Sequence, residues 1–210
     1  MTILLLGATG RTGRRIANRL HEAGSAFRAV YRRPDQTPYF EALGAQTAVC
    51  DLAGDFSSVF AGADAVIYAA GSAETEGAEQ ERQIDCDAVK KTADFAKAHG
   101  VGRVVIISAL GAFRPRQGDP LYHYSLMKRE GDDYVIASGV DYVILRPGPL
   151  SDGPAAGAIE LATAPVAAAP PVSREDVAAV AVHALGADIH HRVIGFVGGA
   201  IPIEEALRKG

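Results

Sequence analysis

The residues Gly7-Ala8-Thr9-Gly10-Arg11-Thr12-Gly13, coming straight after the apolar run Ile3-Leu4-Leu5-Leu6, constrain the fold of this chain more than any other feature. Four large apolar residues in a row without a charge describe a strand buried on both faces, as in the middle of a parallel sheet. Glycines at the turn that follows let the chain reverse tightly and bring its N–H groups close to a ligand. A helix over about Thr12–Ala23 then aims the positive end of its dipole at the same place, which suits the pyrophosphate of a dinucleotide. Gly7, Thr9, Gly10, Arg11, Thr12 and Gly13 are therefore the candidate phosphate cradle. A three-glycine turn also serves as an ordinary strand-to-helix connection, so its context decides.

That context is a regular alternation of strands and helices. Strands are expected at Phe27–Tyr31, Ala45–Cys50, Ala65–Ala69, Val104–Ser108 and Tyr142–Leu145. Helices are expected at Glu79–His99, stopped by Gly100, and at Leu121–Ser138, stopped by Gly139. Such alternation implies an α/β, doubly wound, mostly parallel sheet with helices on both faces and its ligand at the carboxyl ends of the strands. The stretch Gly153–Pro171, rich in Ala, Pro and Gly, breaks the rhythm and is expected to loop with at most a short strand. Ser173 then caps a helix, with Asp176 where a capping-box acid stands. Val193–Val197 and Pro202–Leu207 close the chain as strand and helix.

The 210 residues suit one domain over 1–210, with a small substrate-side segment from about 149 onward. A net charge of −4 gives no reason to expect nucleic acid or an anionic membrane as partner. No stretch reaches the ~20 apolar residues that span a bilayer, and the chain opens in a strand rather than a basic leader. Cys50 and Cys86 match no metal or redox spacing and fit a reducing compartment. The six histidines make no metal-ligand spacing with acids or cysteines. A cytoplasmic protein without a metal is expected, its oligomeric state left open.

The chemistry-bearing residues fall at the predicted strand ends. Arg32 and Arg33 follow the second strand, where a dinucleotide site meets the adenosine ribose. An acid there accepts from the 2′-hydroxyl of NAD, but no carboxylate appears before Asp35, and two guanidiniums suit a 2′-phosphate. Solvated loop arginines are the alternative. Asp51-Leu52 ends the third strand, where Asp51 either accepts from the adenine amino group or caps a turn. Ala69, Ala70 and Gly71 end the fourth and are small enough for a cofactor to lie against the backbone. Tyr124 and Lys128, four residues apart on a helix, share a face. An ammonium near a phenol of pKa about 10 favours its ionised form, so Tyr124 can exchange a proton with a carbonyl or alcohol. Lys128 can also hold the nicotinamide ribose, and Ser108 stands at the same rim to bond the substrate oxygen. Pro147 and Gly148 end the sixth strand, where a fixed turn and a close backbone approach suit a flat ring.

Together, the G-A-T-G-R-T-G of 7–13, Arg32-Arg33, Asp51, Ser108, Tyr124/Lys128 and Arg146-Pro147-Gly148 resemble the atypical short-chain dehydrogenases/reductases with an NAD(P)H-binding, NmrA-like domain. The likeness spans nearly the whole chain, including Ser173-Arg174-Glu175-Asp176-Val177. It implies a Rossmann-type domain, NADP as cofactor, and Ser108, Tyr124 and Lys128 as a catalytic set. Two departures stand out: the Ser108-to-Tyr124 interval is long, with Gly111–Pro120 as an inserted lip, and Asp85 stands where many members carry the asparagine of a proton relay. The branch holds NADPH-dependent reductases of quinones, flavins and biliverdin as well as non-catalytic redox sensors. An NADPH-dependent oxidoreductase acting on a small carbonyl, quinone or flavin-like acceptor is the leading expectation, and an NADPH-binding sensor the second. Sugar-nucleotide epimerases share the glycine spacing but resemble the chain less, since the ~60 residues after the sixth strand leave little room for their larger substrate lobe.

Overall fold

Side chains alternate across a strand, so an unbroken apolar strand has to be covered twice, and the sheet here is. The computed structural model describes residues 1–72, 77–165, 168–186 and 188–209. Its elements run in the order β1 (Thr2–Leu6), α1 (Arg11–Glu22), β2 (Ala26–Tyr31), α2 (Thr37–Ala42), β3 (Gln46–Val49), β4 (Ala65–Tyr68) and α3 (Gly77–Gln80). A π-helical stretch, Glu81–Asp87, leads into α4 (Ala88–Ala98), β5 (Arg103–Ile107), α5 (Tyr122–Ser138) and β6 (Tyr142–Pro147). The chain ends with β7 (Leu150–Ser151), β8 (Ala158–Leu161), β9 (Val172–Ser173), α6 (Arg174–Gly186), β10 (Arg192–Gly198), β11 (Ile201–Pro202) and α7 (Ile203–Lys209).

Among the described residues the main sheet has nine strands in the order β11-β8-β10-β6-β5-β4-β1-β2-β3, parallel from β3 through to β10. β8 is antiparallel to both β10 and β11. The order steps outward from β1 in both directions, and the reversal between β1 and β4 opens the crevice in which such sheets take ligands. Ile3, Leu5, Ala29, Ile67, Val105 and Val143 pack toward α1 and α6, while Leu4, Leu6, Val66, Val104, Ile106 and Ile144 pack toward α4 and α5. The apolar runs of β1, β4 and β5 reflect this double coverage.

The sequence-based elements recur within a residue or two, and the doubly wound, mostly parallel sheet is the observed one. One difference is local: the single helix expected over Glu79–His99 is interrupted by the π-helical turns of Glu81–Asp87. The stretch Gly153–Pro171, of which Val166 and Ala167 lie outside the described residues, holds one short strand, β8, within the expectation, and that strand joins the sheet edge. At the head of α6, the Ser173 hydroxyl donates to the Asp176 carboxylate (2.7 Å) and accepts the Asp176 N–H (3.0 Å), the capping arrangement expected from the sequence. No helix among the described residues is long and apolar enough to cross a membrane.

Candidate cofactor and active-site cleft

A cleft of about 690 Å³ runs along the carboxyl ends of β3, β2, β1, β4 and β5. Its floor is the glycine turn. Gly7 sits at φ +77°, and a Cβ there would lie 2.5 Å from the Ala70 nitrogen, so only glycine lets β1 and β4 approach this closely. A Cβ at Gly13 would lie 2.2 Å from the Gly7 carbonyl oxygen, so Gly13 seats α1 against the turn rather than touching a ligand. Gly10 differs: it is exposed, and a Cβ would meet only the Gly7 oxygen at 3.4 Å and the Ala69 oxygen at 3.8 Å. Packing leaves room for a side chain at Gly10, yet none is there, and among the described residues no side chain caps α1. The unfilled cradle and uncapped N–H groups fit a dinucleotide pyrophosphate.

The structure brings most of the expected residues to this cleft. Gly7, Thr9, Gly10, Arg11 and Thr12 line it, with Arg32, Asp51, Leu52, Ala69, Ala70, Gly71, Ser108, Tyr124 and Lys128. Gly13, Arg33, Pro147 and Gly148 are not in the lining. Arg33 is 71% exposed, its Nε 4.0 Å from Asp35. Gly148 donates to the Phe196 carbonyl (2.8 Å) and is tied to β10 instead. Asp51 accepts the Ala53 N–H through Oδ1 (3.0 Å), the turn-capping alternative, while remaining in the cleft wall. Sequence reasoning passed over Ser72, Gln80, Ile84, Leu150 and Arg174 as lining residues. Arg174 carried a signal, for it follows a recognisable helix cap, but a cap says nothing of where the neighbouring guanidinium goes.

Two buried polar networks stand behind the far wall. Lys128 is 3% exposed and pairs with Asp85, itself fully buried, at 2.9 Å; it also donates to the Ile107 carbonyl at 3.2 Å. Asp85 further accepts from Ser72, through its N–H at 3.1 Å and its hydroxyl at 2.5 Å. Burial opposes the Lys128 charge, but Asp85, Tyr124 and Asp132 outweigh it and hold the pKa above the ordinary lysine range. The ammonium is thus held by one buried ion pair and one backbone carbonyl. In the second network the Ser108 hydroxyl donates to Asp132 at 2.6 Å, and Arg146 reaches the same oxygen at 2.9 Å. Ser108 therefore turns its hydrogen away from the cleft and offers only lone pairs to it.

Tyr124 lies beside Lys128, whose ammonium is 5.7 Å from the ring centre. The expected stabilisation of the phenolate is present but loses: burial pushes the phenol above its usual range, and Asp85, Asp132 and Glu81 add to that against the single favourable charge of Lys128. Tyr124 is a neutral phenol at pH 7, equipped to give a proton.

The phosphate cradle and this wall define a nicotinamide-dinucleotide protein. Residues 7–188 match the NAD(P)H-binding family model, and the chain belongs to that family, which the atypical, NmrA-like resemblance of its sequence fits. A Bacillus subtilis protein named as an uncharacterised sugar epimerase is 31% identical over 215 residues, covering 100% of both chains. A solved structure from Bacillus halodurans, described as an NAD-dependent epimerase/dehydratase, superposes with a TM-score of 0.94 at 31% identity over 100% of both chains. The ceramide reductase of Caulobacter vibrioides is 29% identical over 147 residues, 69% of this chain and 45% of that protein.

Proposed function

We propose that the chain is an NADPH-dependent reductase that delivers hydride to a small carbonyl, quinone or flavin-like acceptor, with Tyr124 supplying the proton. The observation that carries this reading is that Tyr124 and Lys128 stand in the wall of the very cleft whose floor is the glycine turn. When bound, the dinucleotide supplies the hydride. The chain's own residues do the rest. Lys128, held by Asp85 and the Ile107 carbonyl, keeps a positive charge beside the phenol. Tyr124 gives its proton as negative charge develops on the acceptor oxygen. Arg32, in the lining beyond the end of β2, is the group for the 2′-phosphate of NADP.

After β6 the chain completes the sheet edge and adds α6 and α7. Comparison of wild type with Tyr124→Phe in NADPH oxidation, against a panel of quinones, flavins and dicarbonyls, tests the reading. Removing a general acid is expected to lower kcat by about 10²-fold or more with the NADPH Kd unchanged. The reduction rate should hold as pH rises and fall only above the ordinary tyrosine range, since the phenol donates only while protonated and its pKa is raised. Turnover that survives the substitution refutes the role of Tyr124 and favours hydride passing straight to a bound ring.

One observation favours a second reading, the NADPH-binding sensor. Ser108 and Lys128 both spend hydrogen bonds on buried carboxylates, Asp132 and Asp85, as structural residues do. Tight NADPH binding without turnover by either protein would decide for it.

A further inference from the structure

Beside the glycine turn, arginines from two helices converge on one carboxylate. Arg11 and Arg15 reach it from α1 and Arg174 from the head of α6, and all three pair with Asp152, in the loop after β7. Arg174 donates to Asp152 Oδ1 at 3.0 Å, and Arg15 lies 3.5 Å from the same oxygen. Glu175 forms an ion pair with Arg15 at 3.0 Å and stands 4.0 Å from Arg19. Four guanidiniums thus share two carboxylates, and positive charge is in excess. The Arg174 side chain is only 15% exposed, and burial together with Arg11 and Arg15 pulls its pKa down. Arg11 and Arg174 also line the cleft, next to the uncapped N–H groups of α1.

Asp152 is the loosest member of the cluster. Its side chain is 39% exposed, and its partners among the described residues are the three arginines, in ion pairs that are weak where water reaches them. The far end of its loop is fastened differently, because the buried Asp176 accepts the N–H groups of Ala156 (3.0 Å) and Gly157 (2.8 Å). The near end is fixed by β7, whose Leu150 and Ser151 pair with Val172 and Ser173 of β9, so between two anchored ends the Asp152 side chain alone is held by an exchangeable charge.

We propose that Asp152 is a removable counter-anion: the pyrophosphate of the bound dinucleotide takes its place between Arg11 and Arg174. Arg174 then becomes a cofactor-binding residue, and the Asp152 side chain a counter-charge that cofactor displaces. A carboxylate left in place would face the phosphates with like charge, whereas an exchange keeps both guanidiniums paired with charge-assisted bonds. The inference rests on the dinucleotide occupying the cleft, as the family assignment requires.

Calorimetric titration of the whole chain with ADP-ribose, NADH and NADPH tests it, using wild type, Arg174→Ala and Asp152→Asn. ADP-ribose carries the pyrophosphate but neither the nicotinamide nor a 2′-phosphate. Arg174→Ala should weaken all three ligands by a common factor of about tenfold, the loss of one charged hydrogen bond. Asp152→Asn, at an exposed position that does not threaten folding, should tighten all three by a few-fold. An Arg174→Ala effect under twofold, or one confined to NADPH, overturns the proposal, as does weaker binding by Asp152→Asn. Failure of wild type to bind any of the three would instead refute the cofactor reading beneath it.

Discussion

Replacing Asp85 by Asn isolates the Lys128 ammonium inside the protein, and the cost can be worked from the geometry. At 2.9 Å and an effective dielectric constant near 20, two unit charges attract by about 6 kcal/mol. Part of that is offset in the native protein by the desolvation of both groups, and removing one partner of a buried pair typically costs 3–5 kcal/mol. In a chain of this size that corresponds to a fall in Tm of about 10 °C. The pH dependence identifies the cause. In the wild type the Lys128 pKa is raised, so its contribution is complete below the unfolded lysine pKa of about 10.4 and is lost only as pH rises through the higher folded value. In the variant, burial without a partner depresses the folded pKa below 10.4, so the variant gains stability as pH climbs from 7 toward 10 while Lys128 sheds its proton. The deficit measured by urea unfolding should therefore narrow with pH, and Asp85→Asn combined with Lys128→Met should recover most of it. A single variant within about 1 kcal/mol of wild type at pH 7, or a deficit indifferent to pH, would refute the argument.

Two other substitutions separate roles within the cleft. Arg32→Ala should cost about 1.5–3 kcal/mol of NADPH affinity and leave NADH unchanged, while Arg33→Ala, exposed and outside the lining, should leave both within twofold in the same titration. Gly10→Ala should leave the unfolding midpoint nearly unmoved yet weaken dinucleotide binding, because its methyl enters the cradle. Gly13→Ala, whose methyl collides with the Gly7 carbonyl, should cost roughly 1–3 kcal/mol in stability.

The legible part of the fold is the part set by local pattern and double burial. β1, β4, β5 and β6 read as strands because their apolar residues are buried on one face of the sheet or the other. Tyr124 and Lys128 could be paired from their spacing alone, since α5 is a regular helix and i, i+4 neighbours share a face. What those side chains bond to was not legible. Ser108 meets Asp132 across 24 residues and Lys128 meets Asp85 across 43, and such pairings depend on how α5 packs against the end of β5 and the segment Glu81–Asp87, not on local periodicity. The same holds for Tyr124, whose phenol was expected to be acidified by its lysine; burial and three carboxylates reverse the sign. Arg174 shows the limit most simply: Ser173 and Asp176 announced a helix start, but only the tertiary meeting of α1 and α6 brings that arginine beside Arg11.

The π-helical stretch Glu81–Asp87 has a consequence for how this chain can change its length. It carries Ile84 in the cleft wall and Asp85 beneath it, between the regular turns of α3 and α4. Losing one residue there would let an ordinary α-helix form, but would rotate everything on one side of the cut by about 100° relative to the other. Either Gln80 would leave the cleft or Asp85 would swing off Lys128, while α4 kept its seat on the sheet. A point change in this segment leaves the register of its neighbours in place, whereas a one-residue deletion does not. The helix carries its spare residue as a spacer, and tolerance to insertions and deletions should collapse here while the exposed lip at 114–120 continues to accept them.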